Sequence, residues 1–323
     1  MSRVMALLLA LCALAALTSR PVLAQPYPSR PVRIVVGTTP GGQGDVLARL
    51  VGQHLAQVWG QPVVTENRAG ADATIAAEIV AMAPADGYTL LLASRSNIVL
   101  ATALGNKGRY DPVNDFAPIG RIAHVPLVLV VNPAVQATTV PQLIAIARDR
   151  PRELTYGSSG SISRLAVELL KASAEIDVLE IPYRGVGPAL TDLLAGRIDM
   201  MFFDLAIVAP HLKAGTLRLL APAGRRRTSQ APDLPTLAEQ GIRGFPFEPW
   251  YGLVAPARTP VDVLAKLRTG LAEIRRRPEM KARLDELGYE PIDDSPQQFS
   301  ADIAADIEKL SAVIKSAGIK GEP

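Results

Sequence analysis

A stretch of strand, glycine-rich turn and helix near the start of the chain constrains its fold more than any other feature. The apolar, mostly β-branched run over 32–36 is interrupted only by Arg33, which is typical of a buried parallel strand. The turn over 37–45 contains four glycines, and apolar residues then recur at helical spacing as far as Val58. Such a turn leaves backbone N–H groups unpaired at the positive end of a helix dipole, which predicts an anion site.

The glycines of this turn do not form a nucleotide-binding fingerprint. Gly42 and Gly44 would need a third glycine where Leu47 stands, and no Gly-Lys-Ser/Thr triplet follows for a P-loop. Taken alone, the turn is equally compatible with a tight connection that binds nothing. A second succession of strand, small polar turn and helix over 154–172 favours a ligand site, because it repeats the same arrangement.

The first 24 residues are predicted to be a secretory signal peptide. Arg3 precedes an apolar run over 5–17, which is too short to span a membrane comfortably, and cleavage is expected near Ala24. The one cysteine, Cys12, lies in this segment, so the mature protein has none, as suits an exported periplasmic protein without disulfides. Removing Arg3 and Arg20 leaves 32 of the 34 basic residues against 31 acidic ones, which gives no reason to expect nucleic acid as a partner.

The order of elements predicts two doubly wound α/β domains. The chain reads βαβαβ up to the polar end of a strand near Ser94, an apolar strand over 125–131 crosses to a second domain, and the segment over 246–255 returns. Two long helices near the C-terminus are expected to pack on the first domain. The predicted boundaries are 25–124 plus 247–323 for domain 1 and 125–246 for domain 2, with the ligand at the carboxyl ends of strands between them.

Catalysis and metal binding find little support in the residues. His54, His124 and His211 have neither a cysteine nor a second histidine at ligand spacing, so we expect no metal and no cofactor. A serine hydrolase using the Ser158-Ser159 loop stays open as an alternative, with His211 as base and Asp204 orienting it. The Gly-x-Ser-x-Gly spacing fails, however, because Ser161 stands where the last glycine is needed.

Many short motifs follow one another along the mature chain in a set order. They include Pro40-Gly41-Gly42, Asp86-Gly87-Tyr88-Thr89-Leu90, Ser158-Ser159-Gly160, Pro182-Tyr183-Arg184-Gly185 and Trp250-Tyr251-Gly252-Leu253. Together they resemble the Bug-type solute receptors of tripartite tricarboxylate transporters. The resemblance implies a periplasmic-binding-protein fold of the type II kind, an α/β fold whose two domains close on a small carboxylate held largely by backbone amides and ordered water. It implies no catalysis.

The resemblance also places the ligand between the first glycine-rich loop and the Ser-Ser-Gly loop. The matching positions are Thr38, Thr39, Gly41, Gly42 and Asp45 on one side, with Ser158 and Ser159 on the other. Ser94, Asn97, Tyr183 and Asp204 follow strands that should face the same cleft and are added as candidates. For Tyr183 and Asp204, a structural hydrogen bond is as compatible with the sequence as a ligand contact.

Three departures from the family pattern leave the ligand open. Thr39 and Gly44 replace a proline and a hydroxyl residue of the first loop, Asp72 enters a segment usually rich in glycine, and Arg164 stands where histidine is frequent. Asp72 would favour an amine-bearing or less charged ligand and Arg164 a second carboxylate, unless both face solvent. The expected partners are a small carboxylate or amino acid and a membrane transporter, with the protein itself a monomer. A receptor that presents its ligand to a sensor is the alternative.

Overall fold

The structure is a computed structural model that describes residues 27–105, 108–242 and 247–316. The predicted signal peptide lies outside these residues. Within them, no helix combines the length and the apolar character that crossing a membrane requires. The strands are β1 (Val32–Val36), β2 (Val63–Asn67), β3 (Thr89–Ser94), β4 (Phe116–His124), β5 (Leu127–Val131), β6 (Thr155–Ser158), β7 (Leu179–Pro182), β8 (Met200–Asp204), β9 (Arg218–Pro222), β10 (Trp250–Pro256) and β11 (Glu290–Pro291).

Helices fill most of the connections between these strands. They are α1 (Gln43–Trp59), α2 (Thr74–Ala81), α3 (Val140–Asp149), α4 (Ser161–Ala174), α5 (Val186–Leu194), α6 (Leu205–Lys213), α7 (Val261–Arg276), α8 (Pro278–Glu286) and α9 (Pro296–Ser316). A short 3₁₀ turn over Ala71–Ala73 precedes α2, and a π-helical turn over Ser96–Leu100 follows β3.

The strands form two mixed sheets, each of which is the centre of a lobe. The first lobe has the order β11-β4-β10-β3-β1-β2, in which β1 runs parallel to β2 and β3 and antiparallel strands complete the other half. The second lobe has the order β7-β6-β8-β5-β9, with β6 parallel to β7 and β8. Parallel strands put their carboxyl ends at one edge of a sheet, so each lobe gathers loops there.

The opening unit of the chain folds as its sequence predicts. Four of the five β1 residues are fully buried between layers, and the one exception is Arg33, whose side chain pairs with Glu66 at 2.8 Å. Helix α1 begins after Gly42 and ends at Gly60, whose left-handed backbone (φ +64°) closes the last turn. The apolar face of α1 packs on the sheet through Leu47, Val51 and Leu55.

The chain crosses between the lobes at two neighbouring segments. Strand β4 ends at His124 and β5 begins only at Leu127, two residues later than the apolar run predicts, because Pro126 has no N–H for the sheet. The N–H of Val125 donates to the carbonyl of Pro249 at 2.9 Å, which ties the outgoing segment to the returning one. Short connecting segments at the ends of strands are where a hinge between lobes can bend.

The C-terminal helices return to the first lobe, as expected from the sequence. Helix α7 packs on α1 and β4, and α9 packs on β4, where Phe299 meets Trp250 edge to face at 5.0 Å. Helix α8 was not anticipated, although Pro278 at its first position is a common helix start. One apolar core joins both lobes, since Leu91 of β3 and Leu129 of β5 belong to the same cluster of buried side chains.

Candidate ligand-binding site

A cavity of about 200 Å³ opens at the carboxyl ends of β1 and β3 in the first lobe. Its walls come from the end of β1, the first glycine-rich loop, the 3₁₀ turn before α2, the end of β3 and β10. The lining residues are Val36, Gly37, Thr38, Asp72, Ala73, Leu92, Ser94, Ser96, Asn97 and Tyr251. This is the sheet edge at which open α/β folds bind their ligands.

Two buried polar groups of the cavity have no partner among the described residues. Asn97 is 1% exposed, and its side-chain Nδ2 makes no hydrogen bond. The Oγ1 atom of Thr38 is also buried and makes no hydrogen bond. Buried donors and acceptors are normally satisfied, because an unmade hydrogen bond in the interior costs about 1–3 kcal/mol. Both residues line the cavity, and these two atoms are covered in the structure as it stands, so a polar ligand reaches them once the side chains turn towards it.

Asn97 is held in place by the start of the π-helical turn. Its Oδ1 accepts from the N–H of Ser94 at 2.8 Å, and its own N–H donates to Ser94 Oγ at 3.3 Å. This reciprocal pair uses the oxygen of the amide and leaves the NH₂ group without a partner among the described residues. A π-helical turn at the end of a strand is uncommon and frequently marks a functional site.

The first glycine-rich loop is shaped by Asp45 from the first turn of α1. Its carboxylate accepts hydrogen bonds from the N–H of Gly41 at 2.9 Å, from Nε of Arg49 at 3.0 Å and from Nδ2 of Asn67 at 3.0 Å. The Arg49 hydrogen bond contributes most to lowering its pKa to about 2. Asp45 is therefore ionised and engaged within its own lobe, and it fixes the loop rather than presenting a free carboxylate.

The N-terminus of α1 lies directly beside Thr38. Gly42 precedes the helix, and no side chain caps the terminus. A Cβ added to Gly44 would come within 3.1 Å of Thr38 Oγ1, so the absence of a side chain at Gly44 lets that hydroxyl approach the first turn. The helix therefore offers its uncapped N–H groups and dipole next to the cavity wall.

The second loop lies in the other lobe and is satisfied internally. Ser158 is 5% exposed, and its hydroxyl donates to Glu180 at 2.6 Å, while the N–H of Ser159 donates to Ser163 Oγ at 2.9 Å. Glu180 also lies 3.4 Å from Nε of Arg164. Helix α4 begins after Gly160 with no side-chain cap, so its N-terminus repeats the arrangement of α1.

Tyr183 belongs to the same cluster as the second loop. Its N–H donates to the carbonyl of Ser158 at 2.7 Å, and its hydroxyl donates to Asp192 at 2.8 Å. Burial, followed by that hydrogen bond, raises the pKa of Tyr183 to about 12, so the phenol is neutral. The side chain is engaged within its own lobe.

Asp204 ends β8 and stands at the junction of the two lobes. A side-chain hydrogen bond from Gln43, the first residue of α1, reaches it across that junction. Burial nevertheless raises its pKa to about 6, and its charge in turn contributes to the raised pKa of Tyr251 and Tyr289. The lobes are also in close contact beside it, because a Cβ on Gly288 would come within 2.4 Å of the Ala206 Cβ.

The arrangement does not assemble a hydrolytic triad. His211 lies six residues along α6 from Leu205, roughly 9 Å from the end of the helix that adjoins Asp204. Ser158 Oγ donates to Glu180, and among the described residues no hydrogen bond joins a histidine side chain to Ser158 or Ser159. Among the residues described here, no group of three or more histidine, cysteine, aspartate or glutamate side chains is placed to hold a metal ion.

The structure thus brings only some of the predicted site residues to one place. Thr38, Ser94 and Asn97 line the cavity. Thr39, Gly41 and Gly42 lie on the adjoining loop and Asp45 in the first turn of α1, without lining it. Ser158, Ser159, Tyr183 and Asp204 are not part of its wall. The lining residues that were missed are Val36, Gly37, Ala73, Leu92, Ser96 and Tyr251. The close approach of Ala73, whose Cβ would lie 2.1 Å from a Cβ on Gly37, explains why glycine is needed there.

Comparison with known proteins gives consistent similarities over almost the whole chain. Residues 47–319 match the family described as "Tripartite tricarboxylate transporter family receptor". The protein BugT of Bordetella pertussis is 34% identical over 303 residues, which cover 93% of each chain.

Solved structures show the same fold with ligands in some cases. The Rhodopseudomonas palustris protein MatC with bound malate is 30% identical, with a TM-score of 0.77 over 89% of this chain and 100% of that one. The structure "R. palustris Rpa4515 with adipate" is 37% identical, with a TM-score of 0.78 over 91% and 99%. A structure described as a periplasmic transporter is 36% identical, with a TM-score of 0.80 over 92% and 100%. The expected two-domain periplasmic-binding-protein fold is confirmed.

Proposed function

From its membership of the tripartite tricarboxylate transporter receptor family, to which this chain belongs, we propose that the protein captures a small carboxylate by hinge closure and delivers it to a membrane transporter. The observation that carries the proposal is the cavity of the first lobe. Two of its lining residues, Asn97 and Thr38, have buried polar atoms without hydrogen bonds, and the uncapped N-terminus of α1 lies beside them. Adipate and malate in two structural neighbours support a carboxylate as the ligand.

In this mechanism the carboxylate binds first to the N-terminal lobe. The NH₂ group of Asn97 donates to one oxygen, the hydroxyl of Thr38 supplies a second hydrogen bond, and the α1 dipole favours the negative charge. Asp45 acts as a positioning residue that holds the loop, and Ser94 acts in the same way on Asn97.

Hinge closure follows from the energetics of so small a half-site. Each charge-assisted hydrogen bond contributes ~1.5–3 kcal/mol, and a helix dipole adds about 0.3–1 kcal/mol. Association costs ~4–15 kcal/mol, so an open and hydrated half-site alone would bind weakly. Closure over the cavity by the Ser158-Ser159 loop and the N-terminus of α4 excludes water and strengthens these interactions.

The two domains that close in this mechanism are residues 25–124 plus 247–323 for domain 1 and 125–246 for domain 2. The membership of the strands supports them, since β1–β4, β10 and β11 form one sheet and β5–β9 the other. The paired crossing segments at Val125 and Pro249 then supply the hinge. We place the protein in the periplasm as a monomer without catalytic activity, exported by the signal peptide at 1–24, in keeping with a family of solute receptors.

The test is thermal unfolding of the purified protein against a panel of mono-, di- and tricarboxylates and amino acids. A ligand that binds only the folded state raises the unfolding midpoint as its concentration rises. Asn97→Asp keeps the oxygen that accepts from Ser94 but replaces the NH₂ donor with a negative charge. We expect it to weaken carboxylate binding about 100-fold, or about 2.7 kcal/mol.

The matched control is Gln297→Glu, which makes the same amide-to-carboxylate change at an exposed position in the first turn of α9. It should bind as the unaltered protein does. A panel without any concentration-dependent shift, or equal affinities for Asn97→Asp and Gln297→Glu, would contradict the proposed receptor site.

A further inference from the structure

We propose that Asp72 sets the ligand class of the cavity, which takes a carboxylate that also carries a cationic amine in preference to a dicarboxylate. This inference rests on the proposed function and names the chemistry of its ligand. The class comprises amino acids and amino carboxylates whose ammonium group pairs with Asp72 while the carboxylate binds Asn97 and Thr38.

The first observation is the charge of the cavity wall. Of the described residues that line it, Asp72 is the only charged one. It shares the wall with Thr38 and Asn97, whose unpartnered atoms suit a carboxylate. The cavity therefore combines hydrogen-bonding groups for an anion with one fixed negative charge, a combination that a zwitterion complements.

The second observation is that Asp72 has no counter-charge of its own. No described side chain or backbone N–H donates a hydrogen bond to its carboxylate or forms an ion pair with it. The arginines of this part of the molecule are engaged elsewhere: Arg68 pairs with Glu66 at 2.6 Å, and Arg49 pairs with Asp45 at 3.0 Å. Because this carboxylate is exposed and hydrated, a cationic ligand group would exchange water for an ion pair without displacing a protein partner.

The third observation is the backbone that presents Asp72. The values of φ are +130° at Gly70, +46° at Ala71, +51° at Asp72 and +68° at Ala73, so three consecutive residues with side chains occupy the left-handed region. Such strain persists where the surroundings impose it, and it clusters at ligand-binding segments.

Several contacts hold this strained segment. The N–H of Ala73 donates to the carbonyl of Gly70 at 2.9 Å, and Thr74 Oγ1 donates to the carbonyl of Ala71 at 2.8 Å. Ala73 also packs directly on Gly37, which lines the same cavity. The Cα of Asp72 is thus fixed relative to Thr38, although its side chain is exposed to solvent.

The second-lobe cation that the sequence singles out is already paired with an acid of its own lobe. Arg164, the cation that would suit a second ligand carboxylate, lies 3.4 Å from Glu180. A dicarboxylate whose first group occupies the Asn97 site would therefore bring its second group towards a like charge, which disfavours binding. The same ligand with an ammonium group at that end would gain an ion pair.

The test uses ligands that differ only in this terminal group. The affinities of ω-amino carboxylates and of dicarboxylates with the same three to six carbon atoms, such as 4-aminobutyrate with four and succinate with four, are measured by titration calorimetry. Asp72→Asn removes the charge but keeps a residue type that tolerates the left-handed region. Asp149→Asn removes one charge at the end of α3, where the side chain is 81% exposed, and serves as the control.

We expect the unaltered protein to bind at least one amino carboxylate about tenfold or more tighter than its matched dicarboxylate. Asp72→Asn should reduce that ratio about tenfold, equal to about 1.4 kcal/mol, whereas Asp149→Asn should leave it unchanged. A preference for dicarboxylates in the unaltered protein, or an unchanged ratio in Asp72→Asn, would overturn the role of Asp72 while leaving a working receptor. The absence of binding by every carboxylate would instead remove the proposed function and this inference with it.

Discussion

The two loops that follow parallel strands β1 and β6, one in each lobe, look alike in sequence but differ in hydrogen bonding. Each follows a parallel strand and precedes a helix whose N-terminal glycine, Gly42 or Gly160, is not assisted by a capping side chain. In the first lobe, Thr38 Oγ1 and Asn97 Nδ2 are left without partners. In the second, Ser158 donates to Glu180 and Ser159 to Ser163.

This difference indicates that the two lobes have different roles in ligand binding. Groups without partners select the ligand by its chemistry, because they gain hydrogen bonds only when the right ligand is present. A loop that is already satisfied gains little from particular side-chain contacts, and it contributes through its backbone N–H groups and by excluding water. The first lobe should therefore determine which ligand binds, and the second lobe how tightly it is enclosed.

The largest expected effect comes from removing the group that organises the first loop. Asp45→Ala leaves the N–H of Gly41 and the Nδ2 of Asn67 without the acceptor they share. We expect the free energy of unfolding to fall by about 2–4 kcal/mol, and ligand affinity to fall with it. Ser158→Ala, the corresponding change in the second lobe, removes one hydrogen bond and should cost only about 1 kcal/mol. Urea unfolding of both variants measures the difference.

The pH dependence of stability gives a second test of the comparison between these two variants. The pKa of Asp45 is lowered to about 2, so its contribution to stability is complete above its usual pKa near 3.8 and is lost as the pH falls towards 2. The difference between Asp45→Ala and the unaltered protein should accordingly narrow below pH 4. Equal losses for Asp45→Ala and Ser158→Ala at pH 7 would refute the contrast between the loops.

The same comparison shows what the sequence could predict. The strand, turn and helix around Gly42 were predictable because apolar periodicity and glycine position are local properties. The Asp45–Arg49 contact was also accessible, since the two residues are four apart on a helix. The hydrogen bond from Asn67 was not accessible, because it depends on β2 lying beside β1. The role of the Asp45 carboxylate in holding the loop was therefore not predictable, and its contact with the ligand stays a prediction.

Other parts of the site depend on backbone conformations that cannot be predicted from the residue types. Ala71, Asp72 and Ala73 adopt left-handed backbones that sequence reasoning assigns to glycine. The π-helical turn after Ser94 has no periodic signal, yet it is what brings Asn97 to the cavity wall. Tyr251 reaches the wall because β10 pairs with β3, opposite Ser94, which is a contact between distant parts of the chain.

A second pair of glycines tests how closely the first lobe is packed compared with the second. A Cβ on Gly37 would lie 2.1 Å from the Ala73 Cβ, whereas one on Gly185, at the start of α5, has open space around it. Gly37→Ala should lower the free energy of unfolding by about 1–3 kcal/mol through overpacking, and should also displace the segment that carries Asp72.

Gly185→Ala is expected to be nearly neutral, because its backbone (φ 163°) is extended and accepts a side chain. Thermal unfolding with and without a bound carboxylate measures both effects. If Gly185→Ala proved as damaging as Gly37→Ala, the second lobe would be as tightly constrained at its ligand edge as the first.

The smallest effect concerns Asp204, the residue of the second lobe that reaches the first through Gln43. Its pKa is raised by burial to about 6, so the folded protein keeps its proton to a higher pH than the unfolded chain does, near 3.8. Stability should therefore decrease as the pH rises from about 4 to 6 and level off above, the opposite of the Asp45 dependence. Asp204→Asn should remove this slope, matching the unaltered protein near pH 4 and exceeding its free energy of unfolding by about 1–2 kcal/mol at pH 7. The gain is less than the full pKa shift would give, since the residue is partly exposed to water.

Urea unfolding at pH 4, 5, 6 and 7 measures the free energy of unfolding of both proteins, with Asp149→Asn as the exposed control. Parallel pH profiles for Asp204→Asn and the unaltered protein would mean that the junction of the lobes does not bury this carboxyl group, and that water reaches the contact between β8 and α1.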